Sequence, residues 1–183
     1  MNKIETGLDG CYIIEPQVFG DARGWFYESY SAEKFSEIGI DTVFVQDNRS
    51  FSAQKGTLRG LHCQTEPHAQ TKLICATRGT ITDVVVDIRE GSPSYGKHIC
   101  VELSADNRRM LYIPKGFLHG FVTRTENVEV FYKVDDFYSP ANDRSVRYND
   151  PMFGIDWDVE QPILSKKDSE NVSLAQSDIR FIY

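Results

Sequence analysis

Arg59 and His62 stand three residues apart in Thr57–Gln64, TLRGLHCQ, a run with the composition of a half-buried strand. A packed core disfavours a guanidinium and an imidazole unless both are satisfied, so the two together point to a pocket. Lys72, His119 and Tyr132 join them, because the patterning of their own strand-like runs drives each toward the same interior. Histidine is suited to proton transfer near neutral pH. Several cationic groups in one barrel mouth suit an anion such as a diphosphate. Singly, each has an ordinary explanation: a hydrogen-bonded strand histidine, a solvated lysine, a core tyrosine with a wet hydroxyl, an ion-paired arginine. Together they are harder to explain that way, because a small barrel closes around side chains from alternating positions.

Two further stretches carry polar groups of possible use. In PQVFGDARGWFYESY, Pro16 to Tyr30, Phe19, Arg23, Phe26 and Glu28 lie close together around Gly20 and Gly24, a pattern also expected of a plain hairpin. VQDNRS, Val45 to Ser50, offers amides and hydroxyls suited to a base or a sugar. Other chemistries fare worse. The histidines His62, His68, His98 and His119 contain no HxH pair, and no carboxylate completes a metal-ligand set, so no metal is expected. Neither a GxSxG elbow nor a GxGxxG or Walker loop is present.

The elements that must position these residues are short β-branched or aromatic runs broken by Gly, Pro, Asn or Asp. Strands are expected at Tyr12–Glu15, Trp25–Tyr30, Thr42–Asp47, Leu58–Gln64, Lys72–Arg78, Thr80–Arg89, His98–Leu103, Arg109–Ile113, Gly120–Thr123 and Val128–Val134. A strand about every ten residues predicts an all-β sandwich or barrel. One short helix fits Ser31 to Ile38, with Ser31 as cap and Gly39 after its end. Alternation is clearest in ITDVVVDIR, where Val84, Val86 and Ile88 share one face and Asp83, Val85, Asp87 and Arg89 the other. In VEVFYKV, Val128, Val130, Tyr132 and Val134 share a face. One domain is expected over 1–183, a core of about 10–150 with a wrapping tail of about 151–183 that holds turns and a short helix.

Composition narrows the partners. The 183 residues are 40% apolar and 26% charged, with a formal charge of −7, which argues against nucleic-acid and anionic-membrane partners. The four cysteines form no CxxC pair, and free, buried thiols in a reducing compartment are expected. Met1 to Gly10 has no apolar h-region and no run approaches a membrane span, so a cytoplasmic location is expected.

The stretches EPQVFGDARGWFYESY, FVQDNRS, GTLRGLHCQ, AQTKLICATRGTITDVVVDIREGSPSYGK, LYIPKGFLHGF, VFYKVDDFYSP, NDPMFGIDW and ILSKKD resemble, in order, those of the dTDP-4-dehydrorhamnose 3,5-epimerases. The resemblance covers about residues 10–170 and implies a cupin-type jelly roll that needs no cofactor. It implies His62 as catalytic base, Asp168 as its carboxylate partner, Tyr132 as proton donor and Lys72 beside the keto oxygen. Arg59 and His119 become further substrate contacts, and Arg23, Glu28, Gln46 and Asn48 contacts to nucleotide and diphosphate. Tyr138 becomes the aromatic that stacks on the base, and Asp143 and Lys167 additional ligand contacts. It also implies a homodimer in which the Phe19–Glu28 region, Phe26 included, reaches the neighbouring subunit's site. The implied reaction inverts C3 and C5 of dTDP-4-dehydro-6-deoxy-D-glucose, on the way to L-rhamnose for a surface polysaccharide. Cys63 stands where the family usually has an aromatic residue. The pattern leaves two alternatives open: a mono-epimerase on a related sugar nucleotide such as a CDP-3,6-dideoxy-4-hexulose, and a noncatalytic nucleotide-sugar binding module.

Overall fold

The computed structural model describes all residues, Met1–Tyr183. Its elements are β1 (Asn2–Glu5), β2 (Tyr12–Glu15), β3 (Val18–Asp21), β4 (Gly24–Tyr27), α1 (Ala32–Glu37), β5 (Gln46–Ser52), β6 (Leu58–Gln64), β7 (Lys72–Arg78), β8 (Thr80–Asp87), β9 (Arg89–Glu90), β10 (His98–Ser104), β11 (Met110–Ile113), β12 (Phe117–Thr123), β13 (Val128–Val134), β14 (Asp143–Ser145), α2 (Lys166–Ser169) and β15 (Phe181–Ile182). Two antiparallel sheets dominate. One has six strands in the order β1-β2-β11-β7-β13-β5, and the other five in the order β10-β8-β12-β6-β14. β3 and β4 form a separate hairpin, and β15 pairs with β9 in parallel.

Three apolar clusters follow from strand alternation. Between the sheets lie Ile74 and Ala76 of β7, Ile81 and Val85 of β8, Phe117 and Phe121 of β12, and Val128 and Val130 of β13. The outer face of the five-stranded sheet, with Leu61, Val84, Val86 and Leu118, is covered by Phe153, Trp157, Leu174, Ile179 and Phe181 of the tail. On the outer face of the six-stranded sheet, Phe35 of α1 packs with Ile14, Leu73 and Met110. Ser31 caps α1, accepting a hydrogen bond from the Lys34 N–H, as its position before the helix predicts. β8 is buried on both faces, so its expected alternation separates two cores rather than core from solvent.

Several expectations shift. The strand expected at Thr42–Asp47 lies at Gln46–Ser52 instead, because cross-strand pairing with β13 fixes it, Gln46 opposite Val134 and Ser52 opposite Val128. The strand expected to start at Trp25 starts at Gly24 and ends at Tyr27, and that expected from Gly120 starts at Phe117. β1, β3, β14 and β15 carry no strand signal of their own and form through their partners. All four cysteines are free. Cys11 and Cys63 are buried, but Cys75 is half-buried and Cys100, on the edge strand β10, is exposed, against the expectation of four buried thiols.

Candidate active site

Four inner-face strands each replace one apolar inward position by a group that can do chemistry. Lys72 precedes inward Ile74 and Ala76 on β7, and Tyr132 follows Val128 and Val130 on β13. Asp83 lies between Ile81 and Val85 on β8, and His119 between Phe117 and Phe121 on β12. The fifth strand, β6, supplies Arg59 and His62. Three residues apart on a regular strand, they would face opposite ways. The register between β6 and β12 shifts here: His119 opposes His62 while Phe121 opposes Arg59, so three steps on β6 match two on β12. That bulge turns both side chains to the cavity. It depends on Gly60, whose φ of 137° suits glycine and whose Cβ, if present, would lie 2.5 Å from the Gly120 Cα.

Arg59, His62, Lys72, His119, Tyr132 and Asp168 all line one cavity of about 260 Å³, with Ser50, Ser165 and Lys167 at its walls. A neighbouring hollow of about 210 Å³ shares His62, Lys72, Tyr132 and Lys167 with it and adds Tyr138 and Asp143. Larger, the hollow of about 360 Å³ on the β3–β4 hairpin carries only the Arg23–Asp21 pair among aromatics and glycines, with no acid–base machinery.

His62 Nε2 lies 2.6 Å from Asp168 Oδ1. Asp168 is supplied by α2, whose cap Ser165 donates from Oγ to Asp168 Oδ2 at 2.8 Å and accepts from the Asp168 N–H at 3.0 Å. Burial raises the Asp168 carboxyl, but the hydrogen bond and charge of His62, with the hydroxyl of Ser165 and the Gly60 N–H, outweigh it and hold the group below the usual carboxylate range. An ionised Asp168 fixes the tautomer with the proton on Nε2 and the lone pair on Nδ1. The His62 side chain keeps 31% exposure and Asp168 only 5%, so the ring is reachable while its partner is shielded.

Tyr132 and Lys72 come from the other sheet, while His119 and Asp83 share the sheet of His62, His119 directly beside it. Burial pushes the Tyr132 phenol up, partly opposed by the Arg59 charge, so it stays protonated at neutral pH. Burial pulls Lys72 down, with Cys63, Asp83 and Asp143 opposing. His119 Nε2 meets Asp83 Oδ1 at 3.0 Å and Oδ2 at 2.9 Å. Burial pulls His119 down and pushes Asp83 up, each opposed by the other, so the pair tends to neutrality. The cations of the cavity are then Arg59, Lys72 and Lys167. Burial pushes the Cys63 thiol up to about 12, which leaves it inert beside His62.

The remaining expected residues fall in two groups. Gln46 and Asn48 lie on β5, Asn48 directly opposite Tyr132, with Gln46 Nε2 donating to Asn48 Oδ1 at 2.9 Å. Tyr138 donates to Asp143 Oδ2 at 3.3 Å, and Lys167 Nζ to the same oxygen at 2.6 Å. Phe19, Arg23, Phe26 and Glu28 are not brought to this cavity. They stand on or just after the hairpin, Arg23 paired with Asp21 at 2.6 Å and Glu28 with Lys34 of α1. Asp83, Ser165 and Ser50 were not among the expected site residues. Asp83 had a signal, an acid inside a β-branched run; the serines had none. No three His, Cys, Asp or Glu side chains group closely enough to hold a metal ion.

An antiparallel jelly roll of the cupin type, with an imidazole–carboxylate pair facing a phenol and a lysine, defines an acid–base enzyme. The profile of the dTDP-4-dehydrorhamnose 3,5-epimerase family matches residues 5–176. A dTDP-4-dehydrorhamnose 3,5-epimerase of Shigella flexneri is 46% identical over 179 residues, 97% of this chain and 98% of that one. The crystal structure of the Bacillus anthracis enzyme of that name, with TDP and PPi bound, aligns with a TM-score of 0.93 at 47% identity, over 94% of this chain and 99% of that one. That of the Legionella pneumophila dTDP-6-deoxy-D-glucose-3,5-epimerase, in complex with dTDP-4-keto-L-rhamnose, aligns at 0.92 with 46% identity, over 97% and 94%. The chain belongs to the dTDP-4-dehydrorhamnose 3,5-epimerase family and is an isomerase of the carbohydrate-epimerase type.

Proposed function

We propose that the chain converts dTDP-4-dehydro-6-deoxy-D-glucose to dTDP-4-dehydro-L-rhamnose by inverting C3 and C5. The observation that carries this is the His62–Asp168 pair at 2.6 Å in one cavity with Tyr132 and Lys72. The 4-keto group acidifies the hydrogens at C3 and C5. His62 Nδ1 takes one of them, and Asp168 stabilises the imidazolium that forms. The electron pair moves to the keto oxygen, where the Lys72 ammonium stabilises the enolate. Tyr132, a phenol kept protonated by burial, returns a proton from the opposite face of the ring. Solvent then takes the proton from the His62 imidazolium and returns one to the Tyr132 phenolate, and the same exchange at the second carbon completes the inversion. Arg59 and Lys167 supply positive charge for the diphosphate, in a chain whose net charge is −7. None of these steps calls for a metal or a nicotinamide.

The enzyme acts as a homodimer in this proposal. What supports it is the β3–β4 hairpin, where Phe19, Trp25 and Phe26 are 54%, 58% and 66% exposed, an aromatic surface that a second copy would cover. Residues 1–183 form one unit, since the tail supplies Phe153, Trp157 and Phe181 to a core built with β6, β8 and β12. The location proposed is the cytoplasm, where sugar nucleotides are made, and the product serves a surface polysaccharide. No helix is long and apolar enough to cross a membrane. The test is product identity. Purified protein is incubated with dTDP-4-keto-6-deoxyglucose and a rhamnose-forming reductase. Formation of dTDP-L-rhamnose is expected. A reduced product inverted at one carbon only would replace the 3,5 assignment by a mono-epimerase.

A further inference from the structure

Three glutamine side chains bond to the backbone of Asp136–Ser139, in the segment that joins β13 to β14, beside the His68–Asp136 pair and the bonds that the Asn142 and Asp143 N–H groups donate to Ser139 O. Gln70 Nε2 donates to Asp136 O at 2.8 Å. Gln64 Nε2 donates to Phe137 O at 3.2 Å. Gln46 Oε1 accepts from the Tyr138 N–H at 3.1 Å. Gln64 Oε1 accepts from the Ser139 N–H at 2.7 Å. Four consecutive residues are thus fixed by amides from β5, from β6 and from the loop after it. Gln64 is the centre of this arrangement. It is 5% exposed, and its amide also donates to His68 O at 2.7 Å, so both of its ends are engaged. A buried amide with every bond made specifies one geometry, and removing it leaves the partner groups unpaired.

What that geometry presents is Tyr138. Tyr138 is 57% exposed at the edge of the hollow that Gln64, two residues along β6 from His62, also lines. Tyr138 itself has no core contact to hold it, and its hydroxyl bond to Asp143 is long at 3.3 Å. Its orientation therefore comes from the backbone beneath it. An exposed aromatic face fixed before binding loses little conformational freedom when a flat group stacks on it.

We propose that Gln64 is a positioning residue that sets affinity for the nucleotide part of the substrate by fixing Tyr138, without taking part in proton transfer. This rests on the nucleotide-sugar substrate proposed above. One strand would then carry both functions, His62 for chemistry and Gln64 for recognition.

The test is a double-mutant cycle on the full chain, with dTDP binding measured by calorimetry and kcat and KM measured with the sugar nucleotide. Gln64→Ala is expected to weaken dTDP binding about tenfold and raise KM similarly, with kcat falling by less than about threefold. In a Tyr138→Ala background the same substitution should cost less than about twofold, because its route of action is already gone. Gln64→Glu keeps the acceptor for Ser139 and loses the donor, and carries the cycle if Gln64→Ala does not fold. Losses that simply add in the double variant, or a fall in kcat that matches the fall in kcat/KM, would overturn the proposal. So would unfolding of both Gln64 variants, which marks a structural role alone. Failure of the wild type to bind dTDP would instead refute the nucleotide reading, an outcome the wild-type arm separates from the rest.

Discussion

Three of the four residues proposed for chemistry predict different defects. His62→Ala removes the base, so deuterium exchange should cease at both C3 and C5, with turnover down on the order of 10²–10⁴-fold. Tyr132→Phe leaves the base intact, so exchange should persist while epimerised product falls; product assays beside exchange measurements separate the two. Lys72→Met should lose activity and gain stability. Burial lowers the Lys72 pKa, so the charged form that stabilises the enolate costs stability at every pH below that lowered value. The cost fades as pH rises toward the ordinary lysine value of 10.5. Thermal melts should therefore show Lys72→Met above wild type at pH 7 and converging with it near pH 10.5. A lower melting temperature at pH 7 would contradict this. In sequence, these residues were legible because charge and imidazole are conspicuous against β-branched neighbours. Ser165 was not, since a serine in a polar tail becomes meaningful only once α2 folds against β6 and its hydroxyl reaches Asp168 Oδ2.

Among the elements, β6 bears the heaviest constraint. Its bulge turns Arg59 and His62 to one side, and Gly60 and Gly120 permit it by close approach of their backbones. Gly60→Ala should destabilise the protein by about 2–4 kcal/mol, because its Cβ meets backbone and its φ is strained. It should also lower kcat in whatever fraction stays folded, since both side chains would be re-aimed. Denaturant melts and steady-state kinetics check the two effects. The strands with β-branched alternation, β7, β8 and β13, were readable to within a residue or two. β5 was not, because QDNRSFS is polar and its register comes from β13. The bulge itself has no local signature beyond a glycine, so the sequence shows Arg59 and His62 together without showing how a strand turns both inward.

For the whole molecule, two faces of the sandwich are sealed differently. The tail closes one, and there β15 pairs with β9, next to Asp87, a buried carboxylate at the end of β8 that is paired with Arg89 of β9. Burial alone would raise Asp87, but hydrogen bonds from Arg89, Ser92 and Ser94 outweigh it and bring it down to about 2. The folded pKa is depressed, so this stabilisation is present above the ordinary carboxylate value and is lost as pH falls through about 2. It amounts to about 2 kcal/mol at neutral pH. Asp87→Asn should lower the melting temperature at pH 7 and flatten its fall between pH 4 and 2. The hairpin remains exposed in the single chain. Trp25→Ser with Phe26→Ser should give a monomer by light scattering if a second copy covers it, and an unchanged dimer would place the interface elsewhere. The two-sheet architecture was legible from strand spacing. The covered outer faces were not, because Phe153, Trp157 and Phe181 lie in turn-rich sequence without periodicity.

In the proposed reaction, one histidine-based site exchanges protons at two carbons of a 4-keto sugar. Proton NMR in D₂O with dTDP-4-keto-6-deoxyglucose, run with wild type and His62→Ala in parallel, measures this directly. Loss of both the C3 and the C5 proton signals with wild type, and of neither with the variant, is the predicted result. Exchange at a single carbon, or exchange that survives in His62→Ala, would contradict it.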